Sequence, residues 1–223
     1  MSDFPPNLSI RPLTIEDAGQ CEQLERKVFP ENERASLEKI RYRLITCPEL
    51  CSGLFIREYD PKYSAINLPD VAERQRNESK NDADDDDSDD ELPMKSSVIK
   101  ETLVGHILAT KTPSLRVDLA SMGVPSRENP KAGHIEGARH IAIHALAIDP
   151  DWQKKNLGTL LMHDYIQKLS NQDLGDKVIL LAHKELIPFY EKIGFLNLGE
   201  SDTKFGNGSW YDLVIELVPI DEV

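Results

Sequence analysis

The 223-residue sequence predicts a mixed α/β fold, a sheet covered by helices, built as a single domain. Three patterns point there. Two amphipathic helical stripes stand near the N-terminus, and the C-terminal half reads strand, helix, strand, helix, strand, strand. Within that half, Val178 to Ala182 is a continuous apolar run of the kind a strand buried on both faces needs. A hydrophobic content of 39% supplies one sizeable core and hardly two, so the domain is expected to span 1–223.

The elements follow in order. Leu8 to Arg11 is a short strand. Thr14 opens a helix, with Asp17 three residues on approximating a capping box and Ala18, Cys21, Leu24 and Val28 along one face. A second helix starts near Ser36, carries Leu37, Ile40 and Leu44 on one stripe, and stops before Cys47-Pro48. Gly53 to Arg57 and Leu103 to Thr110 are strands on either side of an insertion at about 61–100. Within it, Ser79 to Glu91 reads SKNDADDDDSDDE, a block of like charge that cannot bury enough apolar surface to offset its ordering entropy, and is expected to be disordered. Its alternative use is as an acidic docking segment. Thr112 to Gly137, with its Pro, Gly and Ser, is a long loop. His140 to Ile148 is a strand and Gly158 to Leu169 a helix with Met162, Tyr165, Ile166 and Leu169 on one side. Val178 to Ala182 follows, then a short helix from Leu186 to Ile193 with Pro188 in its first turn and Gly194 past its end. Phe195 to Gly199 and Tyr211 to Leu217 close the chain as strands.

Charge and cysteines narrow the function. The net charge of −13 argues against nucleic acid, which calls for clustered Lys and Arg. Ten acidic and three basic side chains between Glu73 and Glu91 contribute a net −7 of it, so the rest is only mildly acidic. That bias suits a cationic amine, or simply solubility. No run approaches the roughly 18 apolar residues of a membrane helix, and MSDFPPNLS lacks the build of a signal peptide, so a cytoplasmic monomer without a membrane partner is expected. Cys21, Cys47 and Cys51 have neither metal-ligand spacing nor disulfide density and read as buried thiols; no metal is expected.

Two adjoining segments carry chemistry. In the strand HIAIHALAI a period of two places His140, Ala142, His144, Leu146 and Ile148 on one face. A histidine there serves either as a general base near neutral pH or as a hydrogen-bonded core residue. The strand runs into DPDWQKKNLGT, a tight loop ending at a helix start, where free amides and the helix dipole form a diphosphate site reinforced by Lys154 and Lys155. Its spacing is neither GxxxxGK[ST] nor GxGxxG, which disfavours ATP and NAD.

HALAIDPDWQKKNLGTLL (144–161) resembles the acetyl-CoA motif of the GCN5-related N-acetyltransferases (GNAT), Q/R-x-x-G-x-G/A after a strand. CPELCSGLF (47–55), LIPFYEKIGF (186–195) and FGNGSWYDL (205–213) resemble the arylalkylamine, or serotonin, branch and its fungal relatives described as polyamine acetyltransferases. The resemblance covers nearly the whole chain except the acidic insertion. It implies the acyl-CoA N-acyltransferase fold, a mixed, mostly antiparallel sheet splayed between its fourth and fifth strands. It implies acetyl-CoA as co-substrate and direct transfer to a small primary amine, an arylalkylamine or a polyamine.

Residue by residue, the resemblance implies pantetheine pairing at Leu146, Ala147 and Ile148, and pyrophosphate on the amides of Lys154, Lys155, Asn156, Leu157, Gly158 and Thr159. It makes Tyr190 the acid that protonates the departing CoA thiolate; without the family, Tyr190 reads as a core aromatic. His144 matches the second of two histidines in the serotonin enzymes that take the amine proton through ordered water. The position of the first is Ala142, leaving His144, with His140 one repeat further off, as the local base. Asn156 stands where the motif has a glycine, and asparagine is the next most tolerant residue of a left-handed backbone. The family's acceptor lining falls on Phe29, Pro48, Leu181, Phe205 and Trp210, of which Phe29 and Trp210 also read as core. Two other functions fit the same residues: acetylation of protein N-termini or lysines, and non-catalytic acetyl-CoA binding.

Overall fold

The computed structural model describes residues 4–59, 98–206 and 208–218. Strand β1 (Leu8–Pro12) leads through a 3-10 turn (Ile15–Asp17) into helix α1 (Ala18–Val28), and α2 (Leu37–Thr46) follows. Both helix starts are capped as the sequence predicts. Thr14 and Asp17 form the capping box, and the Ser36 hydroxyl accepts from the Lys39 amide. Asp17 does more than cap: it takes two hydrogen bonds from the Arg11 guanidinium, at 2.8 and 2.9 Å, tying β1 to the turn.

Strands β2 (Ser52–Tyr59) and β3 (Val98–Thr112) flank the acidic insertion, most of which lies outside the described residues. The insertion is shorter than the sequence suggests at its C-terminal end. Val98 to Lys100 already belong to β3, where the exposed Glu58–Lys100 ion pair, 2.9 Å, joins opposing strands. The remaining elements are β4 (His140–Ile148), α3 (Leu157–Asn171), β5 (Lys177–His183), α4 (Ile187–Ile193), β6 (Leu196–Glu200) and β7 (Trp210–Glu216). Gly194 ends α4 at φ 114°, a left-handed stop that glycine adopts without penalty.

Among the described residues seven strands lie in the order β1-β2-β3-β4-β5-β7-β6, every pair antiparallel except β4–β5. Helices α3 and α4 cover one face, with Leu161, Met162, Tyr165, Leu169 and Ile193 packed on Ile141, Ile143, Val178 and Leu180. Helices α1 and α2 cover the other, with Cys21, Leu24, Ile40 and Leu44 packed on Phe55, Leu108, Ala145 and Ala147. The mixed sheet with helices on both faces is the fold class the sequence predicts.

The strict alternation expected along β4 does not hold. Ala145 lies opposite Leu108 and Ile143 opposite Ala109, so His144 is an extra residue with no partner on β3, a β-bulge. Beyond it the facing inverts. Ala145 and Ala147 pack toward α1 and α2, while Leu146 and Ile148 join Ile141 and Ile143 on the α3 side. Leu146 and Ile148 therefore do not share a face with His144.

Candidate active site

The bulge coincides with a parting of strands. Residues 140–143 of β4 pair with 177–180 of β5, and the last pair is Ile143–Leu180. From His144 onward β4 presents an edge unpaired on the β5 side, and a narrow cleft opens. It is lined by Ile143, His144, Leu146, Leu181, Leu186 and Tyr190, with Phe29, Glu33, His183, Phe205 and Trp210 among its remaining walls.

His144 is held from β3. Its Nε2 lies 2.7 Å from the Thr110 hydroxyl, and that hydroxyl donates to the Ser121 carbonyl at 3.3 Å. A threonine has one proton, and with it committed to Ser121 the oxygen accepts from Nε2–H, leaving the lone pair on Nδ1. That Nδ1 is buried and without a hydrogen-bond partner among the described residues. Burial, then the nearby positive charges of Arg43 and Lys39, push the imidazole well below its ordinary pKa. The ring is thus neutral at physiological pH. His140 is engaged elsewhere, its Nδ1 3.0 Å from the Ser114 carbonyl, and four residues of strand, about 13 Å, separate it from His144. Ala142 is fully buried and packs with Val117, Met122 and Ile179.

Tyr190 enters from α4. Its ring packs edge-on to Phe189 at 4.9 Å and Phe195 at 5.6 Å, and burial raises its pKa, so the phenol keeps its proton. Four of the five acceptor-lining residues meet in the cleft: Phe29 at the end of α1, Leu181 on β5, Phe205 from the β6–β7 connection and Trp210 at the start of β7. Pro48 is not brought there. It opens a 3-10 turn (Pro48–Leu50) after α2 and is exposed.

The loop after β4 has a shape that fits a diphosphate. Lys154 at φ 60° and Asn156 at φ 58° are both left-handed, alternating with Lys155. Such a backbone turns successive amides to one side as an anion-binding concavity, at about 1–2 kcal/mol of strain for each non-glycine residue. Asn156 thus adopts the conformation for which the family motif carries glycine. Lys154, Lys155 and Asn156 are exposed, Gly158 and Thr159 half-buried, and the Leu157 side chain is buried, which leaves Leu157 its backbone to offer. The Lys155 ammonium donates to the Asp151 carbonyl at 3.3 Å and sits over the Trp152 ring. Upstream, Asp149 is fixed by Lys27 at 2.7 Å and by the Asp151 amide, and Gln153 donates to the Ile148 carbonyl, setting where the strand ends. Leu146, Ala147 and Ile148 lie on the open β4 edge. The residues present therefore suit an acetyl-CoA with its pantetheine along that edge and its diphosphate on the loop.

The site also contains residues that sequence reading missed. Thr110, Ser121 and Arg43 surround His144, and Glu33 and His183 stand at the mouth. None lies in a motif; each is brought in by a contact across 11 to 150 residues of chain. Among the described residues no group of three or more His, Cys, Asp or Glu is placed to hold a metal ion, and no helix is long and apolar enough to cross a membrane.

Comparison with known proteins places this geometry. Residues 87–216 match the family model described as acetyltransferase (GNAT) domain. The chain belongs to the GNAT acetyltransferase family. Within that family it falls with the arylalkylamine branch. It is 31% identical over 211 residues to the serotonin N-acetyltransferase of Macaca mulatta, covering 93% of this chain and 78% of that one. It is 29% identical over 84 residues to the serotonin N-acetyltransferase of Mesocricetus auratus, a match that spans 38% of this chain and only 41% of that enzyme. The same GNAT fold recurs in the GphF GNAT-like decarboxylase in complex with isobutyryl-CoA, with a TM-score of 0.59 at 13% identity over 94% of this chain and 99% of the other. It recurs in the NatC complex bound to Gag peptide and CoA, with a TM-score of 0.56 at 16% identity over 95% and 99%.

Proposed function

We propose that the protein transfers the acetyl group of acetyl-CoA directly to the primary amine of a small arylalkylamine. The observation that carries the reading is the cleft at the His144 bulge, where a neutral histidine and a protonated tyrosine border one opening of the sheet. Acetyl-CoA supplies the activated acyl group and a thiolate leaving group. The chain has to hold the two substrates together, take two protons from an ammonium nitrogen and return one to sulfur.

An alkylamine enters mostly as the ammonium, since its pKa is about 10. The Nδ1 lone pair of His144 takes the ammonium proton, directly or through a water. The freed amine nitrogen then forms its bond to the thioester carbonyl carbon as the carbon–sulfur bond breaks. The Tyr190 phenol donates its proton to the departing sulfur, and the second nitrogen proton, released once the carbon–nitrogen bond has formed, passes directly or through a water to the tyrosine oxygen and restores the phenol. Thr110 and the Ser121 carbonyl hold the imidazole in the tautomer that makes this work.

Phe29, Leu181, Phe205 and Trp210 support an arylalkyl group, offering apolar and aromatic surface to a ring. The branch to which the chain is similar supports the same class. Free CoA release measured on a panel of tryptamine, phenylethylamine, spermine and a peptide with a free N-terminus tests it. Fastest turnover on tryptamine or phenylethylamine is expected. Preference for the peptide would replace this reading with protein acetylation, and acetyl-CoA binding without turnover on any amine would leave a regulator.

A further inference from the structure

We propose that Glu33 is the cation-docking group of the acceptor cleft, receiving the amine in its ammonium form, with His183 as the partner that the amine displaces. The proposal deepens the acetyl-transfer reading and rests on it. Glu33 lies in the connection between α1 and α2, yet its side chain is only 9% exposed and lines the cleft beside Phe29, Phe205 and Trp210. Its Oε2 is 3.0 Å from His183 Nε2 at the end of β5. The His183 ring in turn stacks on Trp210, with centroids 4.0 Å apart.

Two glycines ahead of β7 lie directly against this pair. Gly206 has φ +60°, and a Cβ built there would come 2.6 Å from Glu33 Cγ. A Cβ on Gly208 would come 2.7 Å from His183 Cε1. Gly206 and Gly208 thus leave the space that the Glu33 and His183 side chains occupy. Trp210 Nε1 donates to the Phe205 carbonyl at 2.6 Å, so the two aromatic walls are joined across the same turn.

The choice of partner shows what the carboxylate is for. Other sheltered carboxylates are matched to permanent cations: Asp17 to Arg11, Glu101 to Arg11 and Arg57, Asp212 to Arg116, and Asp149 to Lys27. Glu25, sealed in the core, is matched to His106 and to the Ala35 amide as well. Glu33 faces the cleft and is matched, among the described residues, to a histidine, which carries a full charge only when protonated. A carboxylate removed from water and paired this weakly gains from any stronger cation that reaches it. An ammonium entering between Phe29, Phe205 and Trp210 meets both the carboxylate and aromatic faces that attract cations. The amine is then gathered at the mouth before His144 removes its proton.

A cation that cannot lose a proton separates docking from base catalysis. Phenethyltrimethylammonium and its uncharged carbon isostere are titrated as competitive inhibitors of phenylethylamine acetylation by the wild type, Glu33→Gln and Glu33→Asp. Glu33→Gln keeps the shape and a hydrogen bond to His183, and its acetyl-CoA affinity reports that it is folded. About tenfold weaker inhibition by the cation is expected in Glu33→Gln, with the isostere unaffected and an intermediate value in Glu33→Asp. KM for phenylethylamine should rise about tenfold while kcat changes less than about twofold. Equal inhibition of wild type and Glu33→Gln by the cation would overturn the proposal. So would a loss confined to kcat, which would make Glu33 part of the proton path instead. If the wild type acetylates no amine, the acetyl-transfer reading falls, and calorimetric binding of the same cation to wild type and Glu33→Gln still decides the role of Glu33.

Discussion

The two histidines bordering the cleft, His144 on its floor and His183 at its mouth, sit in opposite electrostatic surroundings. His144 stands on a bulge with Arg43 and Lys39 nearby, its Nδ1 buried and unpartnered, its Nε2 held by a hydroxyl. His183 is stacked on an indole and hydrogen-bonded to a carboxylate. Burial and the cations around His144 favour the neutral ring that accepts a proton, whereas the His183 ring is engaged by an indole face and a carboxylate oxygen. In the proposed reaction one residue type therefore serves two purposes within one cleft: proton acceptor at His144, and partner of the lining carboxylate at His183.

The sharpest way to break that contrast is to substitute each histidine in turn. His144→Gln should lower kcat by about 10²–10³-fold, the range for losing a positioned general base, while acetyl-CoA affinity stays unchanged. His183→Gln should cost kcat no more than a few-fold and act on KM. Equal losses of kcat in the two variants would erase the distinction.

Next in size is the acid and the group that orients the base. Tyr190→Phe should lower kcat about 10²-fold, because the thiolate then leaves unprotonated. Thr110→Val should cost about tenfold, since Nε2 loses its acceptor and both tautomers become available, and Thr110→Ser should restore most of the activity. A Thr110→Ser variant no better than Thr110→Val would show that shape at this position matters and the hydroxyl does not.

These residues differ in how far the sequence disclosed them. The strand, loop and helix from His144 to Gly158 are contiguous, so periodicity and capping chemistry made these elements readable, while the cofactor role of the loop and the acid role of Tyr190 came only with the family resemblance. The bulge was not readable. It exists because β3 and β4 pair with one residue too many on β4, a property of two strands at once. For the same reason the inference that Leu146 and Ile148 face with His144 failed. Thr110 lies 34 residues from His144 and Glu33 150 from His183, and neither pairing leaves a local trace. Pro48 misled in the other direction, being in a motif yet outside the cleft.

A smaller effect follows from pH. His144 has a folded-state pKa below its unfolded value, so in the window between the two the unfolded chain binds a proton that the folded chain refuses. Stability contributed by this site is complete above about pH 6.5 and is lost as the pH falls through the lowered folded value. The acid limb of kcat should likewise lie below about pH 6.5 in the wild type. Replacing Arg43 by Met removes one of the cations that hold the imidazole down, although burial remains the larger cause, so the limb should move upward while staying below its ordinary position. A downward move would contradict the electrostatic account of the floor.

The smallest expected effect tests the loop instead of either histidine. Asn156 pays for its left-handed backbone at φ 58°, whereas glycine adopts that conformation freely. Asn156→Gly relieves that strain in the bound state but also loosens the free loop, so the two terms partly cancel. Acetyl-CoA affinity should tighten by no more than about fivefold, with kcat and amine KM unchanged, as read by calorimetry and steady-state kinetics. Asn156→Val, β-branched and poorly suited to positive φ, should weaken affinity by about tenfold. Equal affinities for the glycine, asparagine and valine forms would mean that the loop conformation at Asn156 does not contribute to holding the diphosphate, and the cofactor site would then rest on the open β4 edge alone.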